Sequence, residues 1–202
     1  MIGKGQIWIL FCGALLAGCV AQPVGWTAAL VALAGANRPA MAWDERPEAT
    51  EWTAATLTAL AKHDKVLAAQ VPGDVAQFCP GYPKASLRER RAFWAGLLSV
   101  LAKHESGLNP EARGAGGRYV GLMQLSPKTA SYHGCAATTG EALQDGAANL
   151  ACAVTIAAAQ VGRDGLIAGT GNRGLARDWG PLKRTGKRAA IAEWTAAQDY
   201  CD

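Results

Sequence analysis

The chain has 202 residues, half of them apolar, only 7% aromatic, and a formal net charge of +4. That length suits one domain behind an export leader, and an alanine- and glycine-rich composition favours close-packed helices over a β-sandwich. Basic residues cluster at Arg88–Arg91 and Lys183–Arg188, but no basic stripe interleaves with aromatics, so the charge suits a solvated surface or an anionic polymer rather than nucleic acid.

The amino terminus reads as an export signal. Lys4 precedes an apolar run from Ile7 to Leu16, which is too short to span a bilayer comfortably. The run ends in Leu16-Ala17-Gly18-Cys19, which resembles the lipobox of bacterial lipoproteins, where the cysteine is lipidated after cleavage. A second apolar run, Trp26 to Ala36, leads to Ala40-Met41-Ala42, a small-residue cleavage pattern of the ordinary secretory kind. Residues 1–42 are expected to be leader and 43–202 the mature domain, with cleavage before Cys19 as the alternative. Either route exports the protein to the periplasm, in the second case as an outer-membrane lipoprotein with a lipid anchor on Cys19.

Cysteine usage agrees with export. Cys12 and Cys19 lie in the leader, and Cys79, Cys135, Cys152 and Cys201 remain. An even count in an exported chain favours two disulfides, with three pairings open. The expected pairs are Cys135 with Cys152, closing a short loop, and Cys79 with Cys201, tying down the C-terminus. Zinc is the other use of four cysteines, but no Cys-x-x-Cys pair exists here.

Beyond the leader, Pro47 opens a helix expected to run to about Gln70, with Trp52, Leu57, Leu60 and Leu67 as apolar contacts. Pro72 and Gly73 break it, and Asp74 can cap a short turn ending at Cys79-Pro80. Ser86-Leu87-Arg88-Glu89 is a capping box, so a helix starts there and runs to about Glu105, where Gly107 can stop it. Arg113 to Gln124 holds four glycines and reads as a loop with a short hairpin. Ser126-Pro127 restarts a helix that Gly134 ends. Asp145 can cap a further helix from Gly146 to about Arg163, nearly solid alanine and so central. Gly165 to Gly180 is irregular, and Lys187 to Tyr200 is the expected final helix.

Glu105 falls on the helix face of Trp94, Leu98 and Leu101. Apolar neighbours and the negative end of the helix dipole both favour its protonated form, as a general acid requires near neutral pH. On helix position alone it reads better as the last polar residue before a stop. The surrounding residues decide: Glu105-Ser106, Asn109-Pro110 and Ala112 are followed by Gly121-Leu122-Met123-Gln124, then Pro127 and Thr129-Ala130. Together these resemble the catalytic core of the soluble lytic transglycosylases, lysozyme-like enzymes that cleave peptidoglycan glycan strands. The resemblance covers roughly residues 93 to 160, with Asp145, Asn149 and Leu150 resembling the family's Asn-containing helix.

The resemblance implies a mainly α, lysozyme-like domain with a small β-hairpin lobe. It implies Glu105 as the single acid and base, acting on the bond between N-acetylmuramic acid and N-acetylglucosamine to leave a 1,6-anhydro end. No metal or other cofactor enters that chemistry. Gln124 is the expected sugar or N-acetyl contact at the cleft edge. Ser106 either orients Glu105 or caps the chain reversal, and Met123 is either a sugar platform or packing. Asn149 is expected to bond the hairpin backbone. Three departures stand out. Gly114 replaces a serine that often lies nine positions after the glutamate, Ser126 replaces a methionine, and the Ala-Tyr-Asn-x-Gly motif survives only as Gly171-Asn172-Arg173-Gly174. The lost tyrosine would normally support the glutamate, a role that Tyr119 or Tyr132 could assume instead of packing.

Most glycosidases pair two carboxylates. Glu111, Glu141 and Asp145 are the candidates for a partner, and each reads better as a solvated or capping residue. The three histidines, His63, His104 and His133, are scattered, and His104-Glu105 lacks the second histidine of a zinc-protease helix. His104 is expected to face away from Glu105. A water-using muramidase and a non-catalytic peptidoglycan-binding protein are the rival readings.

Overall fold

Helix α1 (Ala49–Lys62) opens the folded part of the chain after a series of turns. The structure is a computed structural model and describes residues 38–202, so residues 1–37 of the leader expected at 1–42 lie outside the described residues. Helix α1 stops eight residues before Gln70. Asp64 pairs with Arg91, and Leu67 and Ala68 turn their carbonyls to Tyr82 Oη at 2.9 Å and Arg90 Nη1 at 3.4 Å. Those long-range bonds replace continued helical ones, yet Leu67 is still fully buried as expected.

Helix α2 (Leu87–Ser106) begins at the capping box: Glu89 N–H donates to Ser86 Oγ, and Ser86 N–H donates to the Glu89 carboxylate at 2.7 Å. It ends at Gly107, which takes the left-handed conformation at φ 64°. Every residue from Ala92 to Ala102 is buried, so this helix is surrounded on all sides. Helix α4 (Gly146–Asp164) is its counterpart, capped by Asp145 Oδ1 on Ala148 N–H at 2.8 Å and ended by Gly165 at φ 64°. Helix α1 packs on both α2 and α4, and α5 (Thr185–Ala196) packs on α2. Between them lie β1 (Arg113–Gly114) and β2 (Tyr119–Val120), antiparallel with Arg113 opposite Val120 and Gly114 opposite Tyr119. Helix α3 (Pro127–Tyr132) follows, with Ser126 Oγ accepting from Thr129 N–H as the expected cap. The fold is mainly helical with one small hairpin.

The disulfides join Cys79 to Cys201 and Cys135 to Cys152. The first explains why the last helix ends at Ala196 rather than Tyr200. Residues 199–201 form a separate 3-10 turn whose Cys201 carbonyl accepts from Gly81 N–H at 2.8 Å, and the disulfide locks that docking.

The folded unit starts before residue 43. Met41 is 4% exposed, Ala42 N–H donates to Ser99 Oγ at 2.8 Å, and Tyr200 Oη donates to the Ala40 carbonyl at 3.2 Å. Trp43 is fully buried, with its indole N–H on Thr53 Oγ1 at 2.9 Å.

Candidate active site

Helix α2 carries Glu105 at its last turn, on the face whose earlier members Trp94, Leu98 and Leu101 are fully buried. The carboxyl is half-buried, and its Oε1 is buried without a hydrogen-bond partner. Burial pushes its pKa up to about 7, against the opposing pull of the Lys187 and Arg184 cations. At neutral pH such a group is divided between acid and carboxylate, so it can both give and take a proton. Lys187 also acts on His104, whose pKa is lowered by burial first and then by Lys187 and Lys103. Both groups thus feel the same cation on α5.

The turn after β2 is a rigid frame. Gly121 sits at φ 80°, with the Leu143 carbonyl and Asn149 Nδ2 so close that an added Cβ would lie 2.2 and 2.3 Å from them. Asn149 is fully buried; its Nδ2 donates to the Val120 and Leu143 carbonyls at 3.0 and 2.8 Å, and its Oδ1 accepts from Met123 N–H at 2.9 Å. The Met123 carbonyl accepts from the buried indole N–H of Trp179 at 3.0 Å. The Met123 side chain is itself fully buried. It packs beneath the turn and offers no platform to a sugar, which corrects its assignment as a substrate contact.

Gln124 adopts a left-handed φ of 47°, and its amide donates to the Ala112 and Gly121 carbonyls at 3.2 and 2.9 Å. Its donors thus hold the hairpin closed, leaving Oε1 as the acceptor for anything outside. Gly114 makes room for that oxygen: a Cβ there would lie 2.4 Å from Gln124 Oε1. The glycine and the glutamine rotamer therefore belong together. Ser106 Oγ donates back to the Ala102 carbonyl at 3.2 Å, a contact with its own helix rather than with Glu105. Tyr119 is 40% exposed beside Gly114, while Tyr132 is 84% exposed and lies edge-on to His133. Neither bonds Glu105 Oε1.

The segment Gly171-Asn172 is exposed, with Gly171 at φ 70°. Two carboxylates hold the ends of this loop: Asp74 accepts from Ile167 and Ala168 N–H at 2.7 and 2.8 Å, and Asp164 accepts from Gly174 N–H at 2.7 Å. Sequence reasoning missed Lys187, Arg184 and Trp179. The two cations lie in the basic run at 183–188, whose composition says nothing of the direction it faces.

The mainly helical frame with its small hairpin is lysozyme-like, and its likeness to known proteins puts it in the class of peptidoglycan-acting enzymes of the lytic transglycosylase type. A family model described as the transglycosylase SLT domain matches residues 85–192, just over half of the chain, and the protein belongs to that family. Among solved structures, it is similar to wild-type DslA (form 2) at 27% sequence identity and a TM-score of 0.72, covering 82% of this chain and 99% of that one. A glutamate-to-glutamine variant of DslA gives 28% identity and a TM-score of 0.73 over the same shares. No curated protein matches the chain.

Proposed function

We propose that the protein is an exported lytic transglycosylase that cleaves the β-1,4 bond between N-acetylmuramic acid and N-acetylglucosamine, with Glu105 as sole acid and base. The observation that carries this reading is the half-buried Glu105 carboxyl, with one oxygen unpartnered and a pKa near 7. In its protonated form it gives its proton to the bridging oxygen as the glycosidic bond breaks. The substrate's own N-acetyl group stabilises the positive charge developing at C1. As carboxylate, Glu105 then takes the proton of the muramyl 6-hydroxyl, whose oxygen closes onto C1 as the 1,6-anhydro ring. Atoms balance without water. Gln124 Oε1 accepts from the sugar, and Tyr119 flanks it with its exposed ring. The candidate second carboxylates have other surroundings: Asp145 caps α4, and Glu111 and Glu141 are exposed.

The two disulfides suit an extracytoplasmic setting. Cleavage before Trp43 would remove Met41 and Ala42 from their packing, so we place processing upstream, before Cys19, with a lipid anchor to the membrane.

Digesting purified sacculi and weighing the products tests the chemistry. Anhydro products that disappear with Glu105→Gln are expected. Products heavier by one water would make the enzyme a muramidase, and equal release by both proteins would remove Glu105 from the reaction.

A further inference from the structure

We propose that a cavity formed by α3, α4 and the 3-10 segment Gly174–Arg177 binds the peptide stems of peptidoglycan through their carboxylates, as a substrate contact separate from Glu105. The inference rests on peptidoglycan being the substrate, as read above.

The cavity has a volume of about 760 Å³, and Lys128, Tyr132, His133, Gln160, Arg163 and Arg177 are among its walls. That is the size range of sites for small ligands. It is built rather than accidental. Gln160 is 4% exposed; its amide donates to Asp178 Oδ2 at 2.6 Å and its Oε1 accepts from Arg163. Asp164 braces both guanidiniums, with Arg163 Nε at 3.3 Å and Arg177 Nη2 at 3.6 Å, while its own Oδ2 also accepts from Gly174 N–H. A guanidinium has five donors, so each arginine keeps several for a ligand. Their side chains stay 48% and 38% exposed. Lys128 forms no ion pair among the described residues.

Charge and shape narrow the ligand. Lys128, Arg163 and Arg177 face Asp178 and Asp164, an excess of one positive charge among these five side chains. Such a site holds carboxylates, but it is too weakly cationic for a polyphosphate. Tyr132, exposed over 84% of its surface and edge-on to His133 at 5.0 Å, offers an apolar face beside the cations. An acidic peptide with small side chains fits both features, and stems attached to the glycan are the acidic peptides that the substrate brings. The cavity wall is tied to the turn near the site: Trp179, next to Asp178, donates to the Met123 carbonyl at 3.0 Å.

The test starts with an NMR titration of the labelled wild-type protein with free stem tetrapeptide, which needs no catalysis. Saturable shifts are expected at the amides of Lys128, Tyr132, His133 and Arg177. In turnover assays, Lys128→Gln with Arg177→Gln should raise KM on stem-bearing strands by about tenfold, the scale of lost charge-assisted hydrogen bonds, with kcat unchanged. On strands stripped of stems by an amidase, wild type and variant should be equal. Lys128→Gln alone, which breaks no ion pair among the described residues, repeats the comparison at smaller amplitude should the double variant not fold. Absence of saturable shifts, or equal losses on both kinds of strand, would overturn the proposal. No turnover of either strand by the wild type would instead sink the reaction reading, and the titration would still decide the cavity.

Discussion

Asn149 on α4 and Glu105 at the end of α2 are two polar side chains set against apolar packing, and the molecule treats them in opposite ways. Every hydrogen-bonding direction that Asn149 uses is matched: two backbone carbonyls receive its amide protons and one backbone N–H reaches its oxygen. Glu105 Oε1 is buried with nothing to receive. An unmet buried polar group costs about 1–3 kcal/mol, so a fold that saturates Asn149 bears a real penalty at Glu105. The first arrangement fixes a turn. The second holds a proton loosely near neutral pH, and groups perturbed in this way by burial cluster at functional sites.

The largest effect that would break the contrast is on activity. Glu105→Gln keeps the shape and removes the proton, so muropeptide release should fall by about two orders of magnitude or more. The fold should survive, as read by circular dichroism. Asn149→Ala should do the reverse. It strands the Leu143 carbonyl and the Met123 N–H inside the protein and takes one of two donors from the Val120 carbonyl, which keeps the Leu125 N–H at 3.0 Å, costing about 2–4 kcal/mol in urea unfolding. A mild cost at Asn149 would mean that the turn is held by something else, with the Trp179 bond to Met123 as the first suspect.

How much of this contrast the sequence could reveal depends on the range of the interactions. The capping box at Ser86 and Glu89, the stop at Gly107 and the apolar face behind Glu105 are local, so three or four neighbouring residues carry each signal. The early ends of α1 and α5 were not legible, because Arg91, Tyr82 and the Cys79–Cys201 disulfide act across the fold. Gln124 was legible as a polar group at a cleft edge, but its role in closing the hairpin depends on a left-handed backbone and on the empty space at Gly114. Lys187 could be read as charge, whereas its position near Glu105 comes from the packing of α5 on α2.

Two smaller effects sharpen the Glu105 side. Its folded pKa of about 7 lies above the ordinary glutamate value of 4.5. Between those values the folded protein keeps a proton that the unfolded chain has released, so stability falls as pH rises through that window. Glu105→Gln has no such dependence. Its melting temperature should therefore gain on wild type by a few degrees between pH 4 and pH 8, and a constant difference across that range would mean that Glu105 is not desolvated.

The smallest effect is expected from Lys187→Met. Burial raises the Glu105 pKa, whereas Lys187 and Arg184 lower it; Lys103 and His104 are its charged and titratable neighbours on α2. Removing the Lys187 charge should raise the pKa further and carry the alkaline limb of the rate–pH profile to higher pH. The cation is partly exposed, so added salt should screen its influence and shrink the difference between the two profiles. A limb that stays in place at low salt would show that α5 shapes the site without tuning it. A limb that moves down would mean that the rate-limiting proton transfer belongs to another group.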